Sequence, residues 1–405
     1  MQSKEIIKCQ ACNSKTLYKF IDFGLMPKPN IYLNKKQVGE QTTYQLGANL
    51  CTNCGLVQLD RIVPSEELFA KEYAYVTPEA MRKDFREGVK ETVDIFGGIP
   101  KRVLEIGGGI SIPLQEYKRL GVVDVVGVDP APIVAKKARK LGIKMVIKPF
   151  TLKLAEEMDK FNIITASNVL QHIPDIKGTF EGIKQVLADD GIFVLEFPYL
   201  GDILDDLAFD TFYAEHYYYL SLTALQNIFN SLEMTIFYAK RLPDIHCGSM
   251  RIWVRHNPRS QSVTLPELVL KEKGFIDTNL YDLFRRRIDD NMHQLQEHLY
   301  IAKARGDRIV AHGASAKFVT LTNYGHIGSD LIEYVADNTV YKQGKFTPGM
   351  GIPVVSEEKL IEDAPDVIVC GIRNFYQQSK PLYDRIKKIN PKTKILIPIP
   401  EVVYK

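Results

Sequence analysis

Cysteine and tryptophan are scarce in this chain of 405 residues, with six of the first and one of the second. Six cysteines, at 9, 12, 51, 54, 247 and 370, are too few for the disulfide framework of a secreted scaffold. Long apolar runs are missing as well. No segment approaches the ~18 consecutive apolar residues of a membrane span, and Met1 to Lys8 has no apolar signal core. Nor is there an excess of one charge: 52 Lys and Arg face 49 Asp and Glu, for a net charge of +3. That balance leaves no basic stripe for a phosphate backbone, so nucleic acid is not an expected partner. What is present is ordinary globular composition, 45% hydrophobic and 25% charged, which excludes disorder, collagen and coiled coil. The expectation is a soluble cytoplasmic protein of two to four domains, at ~100 to 200 residues per domain. Neither membrane nor nucleic acid is expected as a partner, and the oligomeric state stays open, monomer included.

Four of the cysteines form two C-x2-C pairs, Cys9-Gln-Ala-Cys12 and Cys51-Thr-Asn-Cys54. Each pair makes a knuckle whose thiolates converge on one metal, and two knuckles complete a tetrahedral, closed, structural site for a single zinc ion. A redox pair would instead need one motif beside a βαβ unit. The gap between the knuckles is longer than a zinc ribbon's. The segment Asp22 to Asn30 is therefore expected to loop out of a strand-poor, turn-rich leader, with the zinc far from the chemistry. Cys247 and Cys370 read as plain buried thiols.

Beyond the cysteine module, Met81, Phe85, Val89, Val93 and Phe96 recur at helical spacing from Pro78 to Phe96 and predict a docking helix. Alternation follows: strands at Arg102 to Ile106, Val122 to Val128, Lys144 to Ile147, Phe161 to Ala166 and Gly191 to Phe197, with helices between them. This is βαβ repetition, hence an α/β fold with a parallel sheet of Rossmann-like kind. Met234 to Ala239 and Ser249 to His256 have no clear helix between them and predict an antiparallel end to that sheet. Pro258 to Ala304 reads as mainly helical. A second, smaller Rossmann-like block opens at Asp307, with strands at Arg308 to His312, Leu331 to Ala336, Asp366 to Cys370 and Lys394 to Ile397. Three domains are expected: residues 1–72, 73–257 and 258–405.

Glu105-Ile-Gly107-Gly108-Gly109 ends the first strand of the central block. Glycines there let backbone N–H groups approach a ligand at a helix N-terminus. Asp129 ends the next strand, where a carboxylate can take both ribose hydroxyls. Position 112 is Ile where a dinucleotide fingerprint has its third glycine, so the turn suits S-adenosylmethionine better. Asn168 and His172 follow the fourth strand and should face the same crevice. The fifth leads to Tyr199 and then to Tyr213-Ala-Glu215-His216. A carboxylate, an imidazole and a phenol within four residues predict proton transfer.

Taken together, the cysteine pairs, Gly127-Val-Asp129-Pro130, the Tyr-x-Glu-His cluster, Gly313-Ala-Ser-Ala-Lys317 and Lys342-Gln-Gly344-Lys-Phe-Thr-Pro348-Gly349 resemble the sugar C-methyltransferases of deoxysugar pathways over nearly the whole chain. The resemblance implies S-adenosylmethionine as cofactor and a nucleotide-linked keto sugar as substrate. It also implies His216 as the base that removes the proton at carbon 3, with Glu215, Tyr213, His172 and Tyr75 around the sugar. The nucleotide would lie on the C-terminal block, where Gly313, Ala314, Lys317, Asp337 and Asn374 are candidate contacts, with Tyr199 a further one. Three departures stand out: Ala214 where the family has His, Gly-Gly-Gly-Ile-Ser in the cofactor turn, and Arg373-Asn374-Phe375 for a Trp-Asn-aromatic motif. The rival expectations are an O- or N-methyltransferase on a related small molecule and, more distantly, a non-enzymatic binding protein built on the zinc module.

Overall fold

The computed structural model describes residues 3–68, 79–108, 111–243, 245, 248–256 and 264–405. Among them lie three larger sheets and a two-stranded pair, Lys4–Glu5 with Arg61–Ile62. The strands Leu17–Pro27, Thr43–Cys51 and Val57–Leu59 form an antiparallel sheet next to the cysteine knuckles, and Tyr218–Tyr219 joins its edge from far along the chain. This corrects two expectations, since the leader is not strand-poor and Asp22 to Pro27 does not loop out. Those residues are paired with Thr43–Cys51. The alternation was masked by two register shifts, at Lys19/Ile21 and Asp22/Gly24. The bulges turn Phe20 and Ile21 inward as neighbours, and Gly24 takes φ +71° at the second of them.

The central sheet has seven strands in the order Met234–Leu242, Ser249–His256, Leu187–Pro198, Phe161–Ser167, Arg102–Ile106, Asp124–Val128, Lys144–Val146. The last five in that order are mutually parallel, and Ser249–His256 runs antiparallel to both its neighbours, as expected. Near-continuous apolar runs explain the parallel part: Val103, Leu104, Ile106, Ile163 and Ile164 are buried because helices cover both faces. The docking helix forms as Glu79–Phe96, with Val89 and Val93 packed among Val103, Ile163 and Trp253.

The C-terminal sheet has six strands in the order Val354–Val355, Val335–Ala336, Ile309–His312, Val367–Cys370, Lys394–Ile397, Val403–Tyr404, all parallel but the last. The expected strand from Leu331 shortens to Val335–Ala336 because Leu331 and Ile332 close a turn onto Gly328. Thr264–Lys271 and Thr278–Ala304 make up the helical link. In both parallel sheets the first strand lies inside, so the chain order reverses beside it and opens a crevice at the C-terminal strand ends. One contiguous core runs from Cys9 to Val402 through the three larger sheets. No helix among the described residues is long and apolar enough to cross a membrane.

Candidate active site

The four knuckle cysteines converge. Cys9 and Cys54 sulfurs lie 3.6 Å apart, as do those of Cys12 and Cys51, and all four fall within 4.8 Å of one another. Zinc–sulfur bonds of ~2.3 Å in a tetrahedron require sulfurs ~3.8 Å apart, so the set fits one zinc ion. Four thiols this close cannot all ionise without a cation. Hydrogen bonds from Cys54 and Cys9 hold Cys51 far down, whereas its proximity pushes Cys9 up to about 12 and Cys54 higher still. Gly55 at φ +81° and Asn13 at φ +60° turn the two knuckles.

At the end of Arg102–Ile106, Gly107 takes φ +65°, and a Cβ there would meet Val169 at 2.1 Å. A Cβ on Gly108 would lie 2.1 Å from the Glu105 carboxyl carbon. Gly109 lies outside the described residues. Glu105 is 2% exposed, burial pushes its pKa up to about 8, and its Oε2 has no hydrogen-bond partner among the described residues. Asn168, held at φ +53°, donates 2.9 Å to Glu196, itself locked by Arg251, while its Oδ1 is buried without such a partner. Asp129 ends the adjacent strand, and its Oδ1 accepts from the Ala131 N–H at 2.8 Å. A glycine cradle flanked by buried acceptors fits S-adenosylmethionine, a ligand with a sulfonium, an ammonium and a ribose.

Next to this cradle, the segment after the Phe209–Thr211 turn gathers the proton-transfer candidates. His216 Nδ1 lies 3.1 Å from the Thr211 carbonyl and Nε2 lies 2.9 Å from the Tyr213 hydroxyl. The carbonyl can only accept, so the proton sits on Nδ1 and Tyr213 donates to Nε2. The His172 ring meets that of His216 at 4.8 Å, edge to face, and donates from Nδ1 to the Glu215 carbonyl at 2.8 Å. Burial pulls His172 down to about 4 and pushes the Glu215 carboxyl up to about 7. Tyr75 lies outside the described residues.

The Thr211 carbonyl, not Glu215, holds His216 Nδ1, and the Glu215 carboxyl accepts from Asn30 at 2.8 and 2.9 Å. Asn30 belongs to the zinc module, and nothing marks it at sequence level except the flanking Pro27 and Pro29. The module is therefore not remote from the cluster, since Tyr218–Tyr219 also pairs with Val57–Leu59 and Tyr217 donates to the Val63 carbonyl. Both terminal guanidinium nitrogens of Arg373 donate to the Asp210 carboxylate, which gives the departure from the Trp-Asn-aromatic motif a physical role.

In the C-terminal block Gly313 takes φ +92°, where a Cβ would meet Ile372 at 2.3 Å. Asp337 accepts from the N–H groups of Ala314 and Thr339, each at 2.8 Å, and from Lys342 at 3.3 Å. Ser315 caps helix Ala316–Tyr324, which places Lys317 in its first turn. Asn374 lies in the turn Arg373–Phe375, on the chain that leaves the neighbouring strand. Tyr199 is buried with its phenol toward Glu272 and Asp202.

Three family models match in succession: "Putative zinc binding domain" over residues 9–69, "Methyltransferase domain" over 79–236 and "C-methyltransferase C-terminal domain" over 244–400. C-methyltransferase NovU of Streptomyces niveus is 28% identical over 411 aligned residues, 98% of this chain and 96% of that protein. A ubiquinone biosynthesis O-methyltransferase of Bradyrhizobium diazoefficiens is 27% identical over 139 residues, 33% of this chain and 53% of that protein. Among solved structures, magnesium protoporphyrin IX methyltransferase (ChlM) of Synechocystis PCC 6803 with bound SAH aligns at TM-score 0.37, 12% identity, over 46% of this chain and 91% of that one. The likeness runs from the cysteine knuckles to the last strands, through three models in the order zinc module, methyltransferase domain and C-methyltransferase C-terminal domain, so the chain is an S-adenosylmethionine-dependent methyltransferase that is similar along its whole length to a C-methyltransferase and carries a four-cysteine module fit for zinc.

Proposed function

We propose that the chain methylates carbon 3 of a nucleotide-linked 4-keto-deoxysugar, after His216 removes the proton α to the ketone. The observation that carries this is the His216 imidazole, fixed by Thr211 so that its lone pair lies on Nε2, with the Tyr213 phenol on that nitrogen and the His172 imidazole against its ring. A carbon beside a ketone is acidic because the enolate places its charge on oxygen. When the substrate proton moves to Nε2, the Tyr213 O–H is released from that nitrogen and becomes a donor for the developing oxyanion. His172, kept neutral by burial, adds no positive charge beside the imidazolium that forms. The bound cofactor supplies an electrophilic sulfonium methyl.

The rest of the site binds. Glu105, the glycine turn, Asp129 and Asn168 would hold the methyl donor. Gly313, Ala314, Lys317 and Asn374 would line the nucleotide end, with the start of helix Ala316–Tyr324 and its one cation suited to a diphosphate, and Asp337 setting the turn. In this reading the three units are residues 1–72, 73–257 and 258–405, and the substrate is a cytoplasmic intermediate of deoxysugar biosynthesis. Incubation with methyl-labelled S-adenosylmethionine and a panel of nucleotide 4-keto sugars should yield a product labelled on carbon 3, located by NMR. Label on oxygen or nitrogen, or no turnover on any keto sugar, would contradict the assignment.

A further inference from the structure

The chain leaving the Leu17–Pro27 strand touches both other blocks within four residues. Asn30 donates to both carboxyl oxygens of Glu215, and the Tyr32 hydroxyl donates to the Ala314 carbonyl in the C-terminal glycine turn. That carbonyl also accepts from Lys342 at 2.7 Å, whose ammonium lies 5.2 Å from the centre of the Tyr32 ring. Leu33 then exchanges backbone hydrogen bonds of 2.9 and 2.8 Å with Phe346. The segment is well packed, with Tyr32 and Leu33 both buried.

We propose that residues 30–33 form a strap completing the substrate site, in which Asn30 is a positioning residue for the Glu215 carboxyl and Tyr32 fixes the strap to the glycine turn. The proposal rests on the reading of His216 and Glu215 as the proton-transfer cluster. The chemistry follows from opposed effects on one group. Burial favours the protonated carboxyl, while an amide that donates to its oxygens favours the carboxylate and pulls the other way. The Tyr341 phenol from the Val340–Lys342 turn lies within electrostatic reach of the Glu215 carboxyl, His172 donates to the Glu215 backbone carbonyl and not to the carboxyl, and His216 and Tyr213 share its segment. A carboxylate on the residue that adjoins His216 would favour the imidazolium that His216 becomes. A module that looks purely structural thereby sets the charge of the site and links it to the turn that would bind the nucleotide.

The test compares Asn30→Ala and the near-isosteric Asn30→Asp, each checked for zinc content and folding, with Glu215→Gln in parallel. Turnover and KM are measured from about pH 6 to about pH 9, spanning the ordinary range in which such a carboxyl is displaced. Loss of a hydrogen bond to a charged group predicts a ~10- to 100-fold fall in kcat at neutral pH. KM for the cofactor should not change, and the acid limb of the profile should move to higher pH. Asn30→Asp should move the limb further, because two adjacent carboxyls share one proton. Tyr32→Phe should raise KM for the nucleotide sugar instead of lowering kcat. Should Asn30→Ala lose zinc, Asn30→Asp decides. Wild-type kcat and an unmoved limb in the Asn30 variants, with Glu215→Gln inactive, would overturn the strap and leave the cluster standing. Wild-type turnover in Glu215→Gln would overturn the cluster beneath it.

Discussion

The central and C-terminal sheets build the same turn and equip it with opposite chemistry. Each has an interior first strand followed by a glycine with positive φ, Gly107 at +65° and Gly313 at +92°. Each has an aspartate at the end of the next strand whose Oδ1 accepts from a backbone N–H two residues on, at 2.8 Å in both Asp129 and Asp337. In the central sheet the surrounding acceptors are left over: Glu105 Oε2 and Asn168 Oδ1 are buried without hydrogen-bond partners among the described residues. In the C-terminal sheet the carboxylate is consumed, because Asp337 Oδ2 takes the Ala314 N–H and Lys342. In the proposed reading the first turn would take the cationic methyl donor and the second the anionic nucleotide. Topology fixes where a ligand binds, and a handful of side chains fixes its charge.

The largest way to break this division is to remove what joins the turns. Structural zinc contributes roughly 10 to 16 kcal/mol of apparent binding energy, so Cys51→Ser should lose the metal and unfold the strands that carry Asn30 and Tyr32. Turnover and binding at both turns should fall together, read by metal analysis and calorimetry. Retention of both ligands without zinc would make the module dispensable. Next in size, His216→Ala should lose ~10²- to 10⁴-fold in turnover while affinities at both turns hold, since a general base acts only in the transition state.

A crossed pair sharpens the comparison further. Asp129→Ala removes a charged acceptor worth ~10- to 100-fold in affinity, and should weaken S-adenosylmethionine while sparing the nucleotide sugar. Gly313→Ala, whose new Cβ would sit 2.3 Å from Ile372, should do the reverse. Equal losses for both ligands in calorimetry would erase the division. The smallest effect is protonic. Glu105 is raised by burial from 4.5 to about 8, so its stabilising contribution to the ligand-free fold is complete below about pH 4.5 and lost as pH rises through about 8. A cation beside it favours ionisation, so S-adenosylmethionine should bind more tightly as pH rises toward about 8 and release a proton near neutrality. Calorimetry in buffers of different ionisation enthalpy measures that proton; uptake instead of release would contradict it.

Local signals carried most of this to the sequence. The cysteine spacing announced the knuckles, and the strand–glycine–helix alternation announced both sheets, because each is set by neighbours within a few residues. What stayed hidden was non-local or carried by backbone. Asn30 meets Glu215 across 185 residues, and the holder of His216 is a carbonyl, which any residue at 211 would supply. The Leu17–Pro27 strand was hidden by two bulges that break period-two alternation. Tyr218–Tyr219 is only two residues long, and its partner lies in another module.

Deprotonation before methyl transfer is the claim on which the site stands, and it can be seen without any methyl moving. With S-adenosylhomocysteine bound and a nucleotide 4-keto sugar in deuterium oxide, the proton on carbon 3 should wash out in the presence of the wild-type protein, followed by NMR. His216→Ala should leave that proton in place while still binding both ligands. No exchange above the uncatalysed rate in the wild type, or undiminished exchange in His216→Ala, would contradict the assignment of His216 as the base.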